Sequence, residues 1–328
     1  MKIAVIGAGS WGTAIAKILT DNGHEITWWS HKPETANHIS KFGHNPKYLQ
    51  SVLFNKSLLT LSTNIVEVIE KNELIIIATP SAFIVEAFSP CKADSLKDKL
   101  VFTATKGMIP DLNIIPVYFF QQKLGAQEKN TGIICGPCHA EEVALERLSY
   151  LTIACNTTSI ADQVSSLLKC RYINTSVSND VYGAELAAVL KNIYALGSGI
   201  FGGLGYGDNF QAVYISNCVR EMRLFIDAFH LTPRDVKESA YLGDLLVTAY
   251  SKFSRNRTFG YMIGQGYTVK AAQLEMQMVA EGYYAVKSIF ELQKNMDVEA
   301  PILDAVYRIL YEDANAGVEM EVLTGKLS

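Results

Sequence analysis

The residues of this chain that could do chemistry are a glycine turn, a scattered set of cations with one acid, and a cysteine pair. The glycines are Gly7, Gly9 and Gly12 within Lys2-Ile-Ala-Val-Ile-Gly-Ala-Gly-Ser-Trp-Gly-Thr-Ala-Ile-Ala-Lys17. Their spacing is that of a dinucleotide-binding turn. The first permits the tight turn, the second lets the backbone approach a pyrophosphate, and the third lets the new helix pack closely on its strand. The helix then offers its first amides to the phosphates. Lys191 interrupts the otherwise apolar helical stretch Gly183-Ala-Glu-Leu-Ala-Ala-Val-Leu-Lys-Asn-Ile-Tyr-Ala-Leu196. A lysine there must snorkel to water, pair with an acid, or line a cleft where a lowered pKa is useful, and the pattern alone leaves these readings open. Asp244 and Thr248 are four apart and share a helical face that could meet Lys191; Asp244 could equally be a helix-start residue favoured by the dipole. Ser254-Arg255-Asn256 sets a hydroxyl, a planar fork and an amide in succession, an apt cradle for a phosphate although a commonplace triplet. Cys135-Gly-Pro-Cys138 matches the redox sequence of thioredoxin-like proteins. It lies deep in a long dinucleotide-type region with no second Cys/His pair to complete a zinc site, so neither a redox nor a metal role is expected.

These residues need elements to hold them. Apolar runs at Lys2–Ile6, Glu25–Trp29, Glu73–Thr79, Lys99–Thr105, Thr131–Cys135, Leu151–Cys155 and Tyr172–Val177 read as strands, the central ones buried and parallel. Parallel sheets bind ligands beyond the carboxyl ends of their strands, which makes Lys106 a site candidate as well as an ordinary loop lysine. The second strand ends in Ser30-His31-Lys32, where NAD-preferring folds usually place an acid. These residues could accept a 2′-phosphate or form a plain surface turn. After Val181 helical periodicity takes over, over Tyr182–Ile200, Ala212–Phe229, Asp235–Lys252, Lys270–Lys294 and Pro301–Leu310, with Phe201–Asp208 as a glycine-rich connector. The expected fold is α/β: an N-terminal doubly wound, mostly parallel Rossmann-type sheet over 1–178, followed by an all-α domain over 179–328.

Length and composition agree. The 328 residues suffice for two domains, and 49% hydrophobic with 19% charged residues describe a globular chain. A net charge of -4 argues against nucleic-acid binding, and an anionic ligand would need a local basic cluster. Six cysteines are too sparse for a disulfide scaffold and fit a reducing cytoplasm. With no long uninterrupted apolar run and no leader-like N-terminus, the expectation is a cytoplasmic protein without a membrane span.

Taken together, the motifs resemble those of the bacterial NAD(P)-dependent sn-glycerol-3-phosphate dehydrogenase family. The resemblance runs through Gly7–Ala14, Asn45-Pro-Lys-Tyr48-Leu, Thr105-Lys-Gly107, Gly136-Pro137, Ala140–Ala144, Lys191–Leu196, Gly243-Asp244-Leu, Ser254–Asn256 and Val279-Ala-Glu281-Gly282. It implies reversible hydride transfer between NAD or NADP and the dihydroxyacetone phosphate/sn-glycerol 3-phosphate pair, for glycerophospholipid synthesis, in a homodimer that needs no metal. NADPH is expected to be accepted. The resemblance places Ser10, Trp11, His31, Tyr48, Ala140, Val279 and Glu281 near the dinucleotide with the glycine turn, and Lys106 beside both ligands. Gly136, Asp244, Ser254, Arg255 and Asn256 would contact the substrate, Arg255 would also reach the cofactor, and Lys191 would be the catalytic proton carrier assisted by Lys106 and Asp244. Thr248 joins the substrate set through its face shared with Asp244. Cys138 stands at a substrate position where the family usually has serine, and the family's Thr-Arg pair is replaced around Ser216-Asn217. The alternatives are another two-domain β-hydroxyacid-type dehydrogenase, which would not need Arg255-Asn256, and a non-catalytic dinucleotide sensor, which would not need Lys106, Lys191 and Asp244 together.

Overall fold

The apolar runs of the first half become one eight-stranded sheet in the computed structural model of the chain, which describes residues 1–110, 112–276 and 280–328. The strands are β1 (Ile3–Ile6), β2 (Ile26–Trp29), β3 (Leu59–Ser62), β4 (Leu74–Ile77), β5 (Leu100–Thr103), β6 (Thr131–Cys135), β7 (Ser149–Cys155) and β8 (Ile173–Ser178). Their order is β3-β2-β1-β4-β5-β6-β7-β8, and every neighbouring pair is parallel except β6 with β7. Parallel strands covered on both faces need continuous apolar sequence, and β1 and β4 are buried at every residue. The strand order reverses between β1 and β4, so the crevice beyond Ile6 and Ile77 is the topological switch point, and the glycine turn occupies it. Strand β3 was not expected from the sequence. It is a four-residue edge strand without a buried residue, set among polar neighbours, and it forms because β2 offers it a parallel ladder, Ile26 opposite Leu59 through Trp29 opposite Ser62.

This sheet with its covering helices is one compact unit, Met1–Thr105 with Ile115–Val181; the other is Lys106–Ile114 with Tyr182–Ser328. The segment after β5, expected in the first domain, therefore belongs with the helices. The reason is local: the Asn192 side chain donates to the Lys106 carbonyl at 2.7 Å, and the Lys106 ammonium lies 3.8 Å from Asp244.

In the second unit the helix Val181–Gly203 is long and apolar enough to cross a membrane by length and composition, but it is buried as the core helix. It extends past Ile200, so the glycine-rich connector shortens to Leu204–Gly207 before the helix Asp208–Phe229. The helix expected over Asp235–Lys252 begins instead at Ser239 with a π turn, Ser239–Gly243, which runs into the helix Asp244–Tyr250. The pattern over Lys270–Lys294 divides into helices Val269–Glu275 and Glu281–Gln293, with Met276 and Ala280 in extended conformation. The remaining helices are Arg255–Gly264, Pro301–Tyr311 and Ala316–Thr324.

The core helix meets the Arg255–Gly264 helix backbone to backbone. A Cβ on Gly260 or Gly264 would overlap the carbonyl oxygens of Leu196 or Ile200, and one on Gly199 or Gly203 would overlap those of Arg257 or Tyr261. Small residues on both partners let the axes approach, which fixes the Lys191 helix against the Ser254–Asn256 segment. Overpacking such a contact typically costs ~1–3 kcal/mol, so Gly260→Ala should lower stability by that amount in urea unfolding. Gly202→Ala, whose Cβ would meet nothing nearer than 3.7 Å, should be neutral or slightly stabilising. Equal losses in the two variants would contradict the backbone contact.

Candidate active site

The helical unit gathers charge around one buried carboxylate. The Lys191 ammonium donates to Asp244 Oδ1, and Lys106 Nζ lies 3.8 Å from Asp244 Oδ2. The Asp244 side chain is 1% exposed, Lys191 4% and Lys106 20%, so one acid is shared between a sealed cation and a more open one. The core helix presents Lys191, the π turn delivers Asp244 at the start of the next helix, and the Asn192 bond to the Lys106 carbonyl fixes the third member. Burial pushes the Lys191 ammonium down to about 8; the Asp244 charge opposes that fall and the neighbouring Lys106 charge adds to it. An ammonium that releases its proton near neutral pH suits general acid–base work. Sequence reasoning assigned nothing to Asn192, although a second polar residue beside Lys191 in an apolar run was the available signal.

Of the other residues expected to contact the substrate, Thr248, Ser254, Arg255 and Asn256 lie on the same unit, and Gly136 and Cys138 lie on the sheet unit. Thr248 does share a face with Asp244, and its hydroxyl donates to the Asp244 carbonyl at 2.6 Å, leaving its lone pairs for a ligand. Ser254 caps the Arg255–Gly264 helix, its oxygen accepting from the Arg257 amide at 3.2 Å. Arg255 opens that helix with an exposed side chain, so a guanidinium and a positive helix end coincide. Asn256 is buried, and its Oδ1 accepts the Gly282 amide at 2.9 Å, which joins it to the start of the Glu281–Gln293 helix. Glu281 is the first residue of that helix, and Val279 lies outside the described residues.

The sheet unit carries the remaining candidates. Gly7 takes a left-handed φ of +118°, a Cβ on Gly12 would overlap the Gly7 carbonyl, and a Cβ on Gly9 would meet nothing within 4 Å. Each glycine thus meets the demand that its place in the motif makes. With Ser10 and Trp11 starting the helix Ser10–Asp21, open space at Gly9 beside helix-start amides fits a dinucleotide pyrophosphate. After β2, the Ser30 hydroxyl is engaged with the Lys32 backbone at 3.1 Å. The possible 2′-phosphate set therefore narrows to exposed His31, whose ring lies edge-on to Trp29, and Lys32. Tyr48 is half-buried, its amide held by Asn45 Oδ1 at 3.0 Å. Gly136 follows β6 with a φ of +112°, Cys138 is buried beyond it, and Ala140 begins the helix Ala140–Ala144. All six cysteines are thiols, so Cys135 and Cys138 form no disulfide.

Two family profiles cover most of the chain: NAD-dependent glycerol-3-phosphate dehydrogenase N-terminus over residues 2–161, and the C-terminus of the same family over 180–321. Curated relatives carry the same activity in their names. The glycerol-3-phosphate dehydrogenase (NAD(P)+) of Limosilactobacillus reuteri is 36% identical over 315 residues, 95% of this chain and 93% of the relative. That of Staphylococcus carnosus is 32% identical over 327 residues, 99% and 98% of the two chains. A crystal structure of glycerol-3-phosphate dehydrogenase from Coxiella burnetii superposes with a TM-score of 0.90 at 28% identity, over 98% of each chain. A D-mandelate dehydrogenase, at a TM-score of 0.62 and 17% identity, shares the fold alone.

Asp244 is the group that keeps the Lys191 pKa from falling further, so neutralising it has a defined sign. In Asp244→Asn the Lys191 ammonium should titrate below its parental value of about 8, read by NMR of isotope-labelled lysine. An unchanged value would show that burial alone decides its proton affinity, and a higher one would contradict the role given to Asp244.

Proposed function

The chain belongs to the NAD-dependent glycerol-3-phosphate dehydrogenase family, and from that membership we propose that it interconverts dihydroxyacetone phosphate and sn-glycerol 3-phosphate with NAD or NADP. The observation that carries the reading is the Lys106–Asp244–Lys191 cluster, an acid–base group of the kind a carbonyl reduction needs. A phosphorylated substrate is supported by Arg255 at a helix start with the Asn256 amide beside it, which a plain hydroxyacid would not require.

A nicotinamide dinucleotide, whose pyrophosphate the Gly7–Gly12 turn would hold, would supply the hydride for ketone reduction and take it back in alcohol oxidation. The chain does the rest. Arg255, the Ser254 and Asn256 side chains and the helix-start amides hold the phosphate dianion and orient the carbonyl. As negative charge gathers on the carbonyl oxygen, the Lys191 ammonium donates a hydrogen bond and then its proton, and Lys106 adds a second positive charge. Asp244 holds Lys191 in place and keeps it protonated at neutral pH. In the reverse direction the neutral Lys191 amine takes the hydroxyl proton.

Truncating one partner of a desolvated charge pair typically costs ~2–5 kcal/mol, so Arg255→Ala should raise the KM for dihydroxyacetone phosphate tens- to thousands-fold while leaving unphosphorylated dihydroxyacetone nearly unaffected. Steady-state assays with both ketones decide it, and equal losses would contradict phosphate recognition. The acid role has a pH signature as well. Ketone reduction needs the ammonium and should fall as pH rises through about 8, whereas alcohol oxidation needs the amine and should rise over the same range. Lys191→Met and Lys191→Arg should each lose ~10²–10⁴-fold in kcat, because neither can exchange a proton there. Near-parental kcat in Lys191→Met would transfer the role to Lys106.

A further inference from the structure

Three successive carbonyls of the glycine turn are held from the protein side. Trp28 Nε1 donates to the Gly7 oxygen at 2.9 Å, Asn45 Nδ2 to the Ala8 oxygen at 3.0 Å, and Thr13 Oγ1 to the Gly9 oxygen at 2.8 Å. Asn45 is the centre of this arrangement. Its Nδ2 also donates to Thr13 Oγ1 at 2.9 Å, and its Oδ1 accepts the backbone amides of Lys47 and Tyr48, each at 3.0 Å. A carboxamide has two hydrogens and two lone pairs, so all of its capacity is used, in a side chain that is fully buried. The orientation of the amide follows from its partners: backbone N–H groups can only donate, which fixes Oδ1, and the Ala8 carbonyl can only accept, which fixes Nδ2.

We infer that Asn45 is a positioning residue for the dinucleotide, which it never needs to touch. In a planar trans peptide the carbonyl and the next amide point in opposite directions. Fixing the carbonyls of Gly7, Ala8 and Gly9 therefore fixes the amides of Ala8, Gly9 and Ser10, each pointing away from the carbonyl of its own peptide, as donors for an anionic pyrophosphate. The same side chain closes the turn that sets the Tyr48 backbone. One amide thus couples the phosphate cradle to the loop that carries Tyr48, and it keeps the Ala8 carbonyl oxygen, which would repel a phosphate, facing away.

The inference rests on the dinucleotide reading, so the test measures binding directly. NADH and ADP-ribose are titrated into the full-length parent, Asn45→Ala, Thr13→Val and Asn72→Ala. The last is a control that removes another buried amide, at the opposite end of the sheet, where it donates to the Val68 carbonyl. Losing this buried bonding should weaken both ligands by about ten- to one-hundred-fold in Asn45→Ala, and by about three- to ten-fold in the near-isosteric Thr13→Val. In Asn72→Ala affinity should hold even where the melting temperature falls. With saturating dinucleotide, the KM for dihydroxyacetone phosphate and kcat should stay within about three-fold of the parent, the split a positioning residue gives and a general loss of fold does not. Parental affinity for NADH in a folded Asn45→Ala or in Thr13→Val would overturn the inference, and so would an equal loss in Asn72→Ala. A parent that binds NADH but leaves dihydroxyacetone phosphate unreduced would count against the proposed substrate, while the same titrations would still decide the role of Asn45.

Discussion

The helical unit depends on one buried carboxylate shared between two ammonium groups. Asp244 would be prohibitive to bury alone, and so would Lys191; paired across the core helix and the Asp244–Tyr250 helix, they survive where neither could stand singly. The pairing has a chemical consequence because the compensation is incomplete. Asp244 offsets part of the burial penalty on Lys191, and Lys106 works against it, so the ammonium holds its proton less tightly than a lysine in water. A second buried acid in the same unit shows the contrast. Glu221 accepts the amides of Ile302 and Leu303 at 2.7 and 3.2 Å at the start of the Pro301–Tyr311 helix, with no cation among those partners, and burial pushes its carboxyl up to about 8. One acid is matched to ammonium groups and tunes a proton donor; the other is matched to helix amides and anchors a helix.

Much of this was legible in the sequence where the requirement was local. The glycine turn could be read because backbone conformation and close approach constrain single residues within one short stretch, and the structure meets each demand at Gly7, Gly9 and Gly12. Lys191 could be read as an anomaly, since one cation in an apolar helix needs a compensating partner. The identity of that partner came only through a shared face, Asp244 with Thr248, and through family resemblance.

What stayed illegible was set by tertiary contact. Strand β3 exists because β2 supplies its ladder, not because Leu59-Thr-Leu-Ser62 stands out. The core helix outruns its glycines because those glycines pack on another backbone instead of ending the helix. Trp28 and Asn45 gave no sign that they hold carbonyls of the glycine turn, because a hydrogen bond from a distant side chain leaves no periodicity to read.

The excursion of Lys106–Ile114 out of the sheet unit also decides how the molecule can be divided. A chain cut once between Val181 and Tyr182 does not yield two whole units, because the later piece carries the acid and Lys191 while Lys106 stays on the earlier one. The helical fragment would hold a neutral ion pair in place of a cluster with one positive charge in excess. The two units are thus sewn together by three crossings of the polypeptide, and a duplication, fusion or truncation that respects only the last crossing would leave the proton donor behind without its electrostatic neighbour.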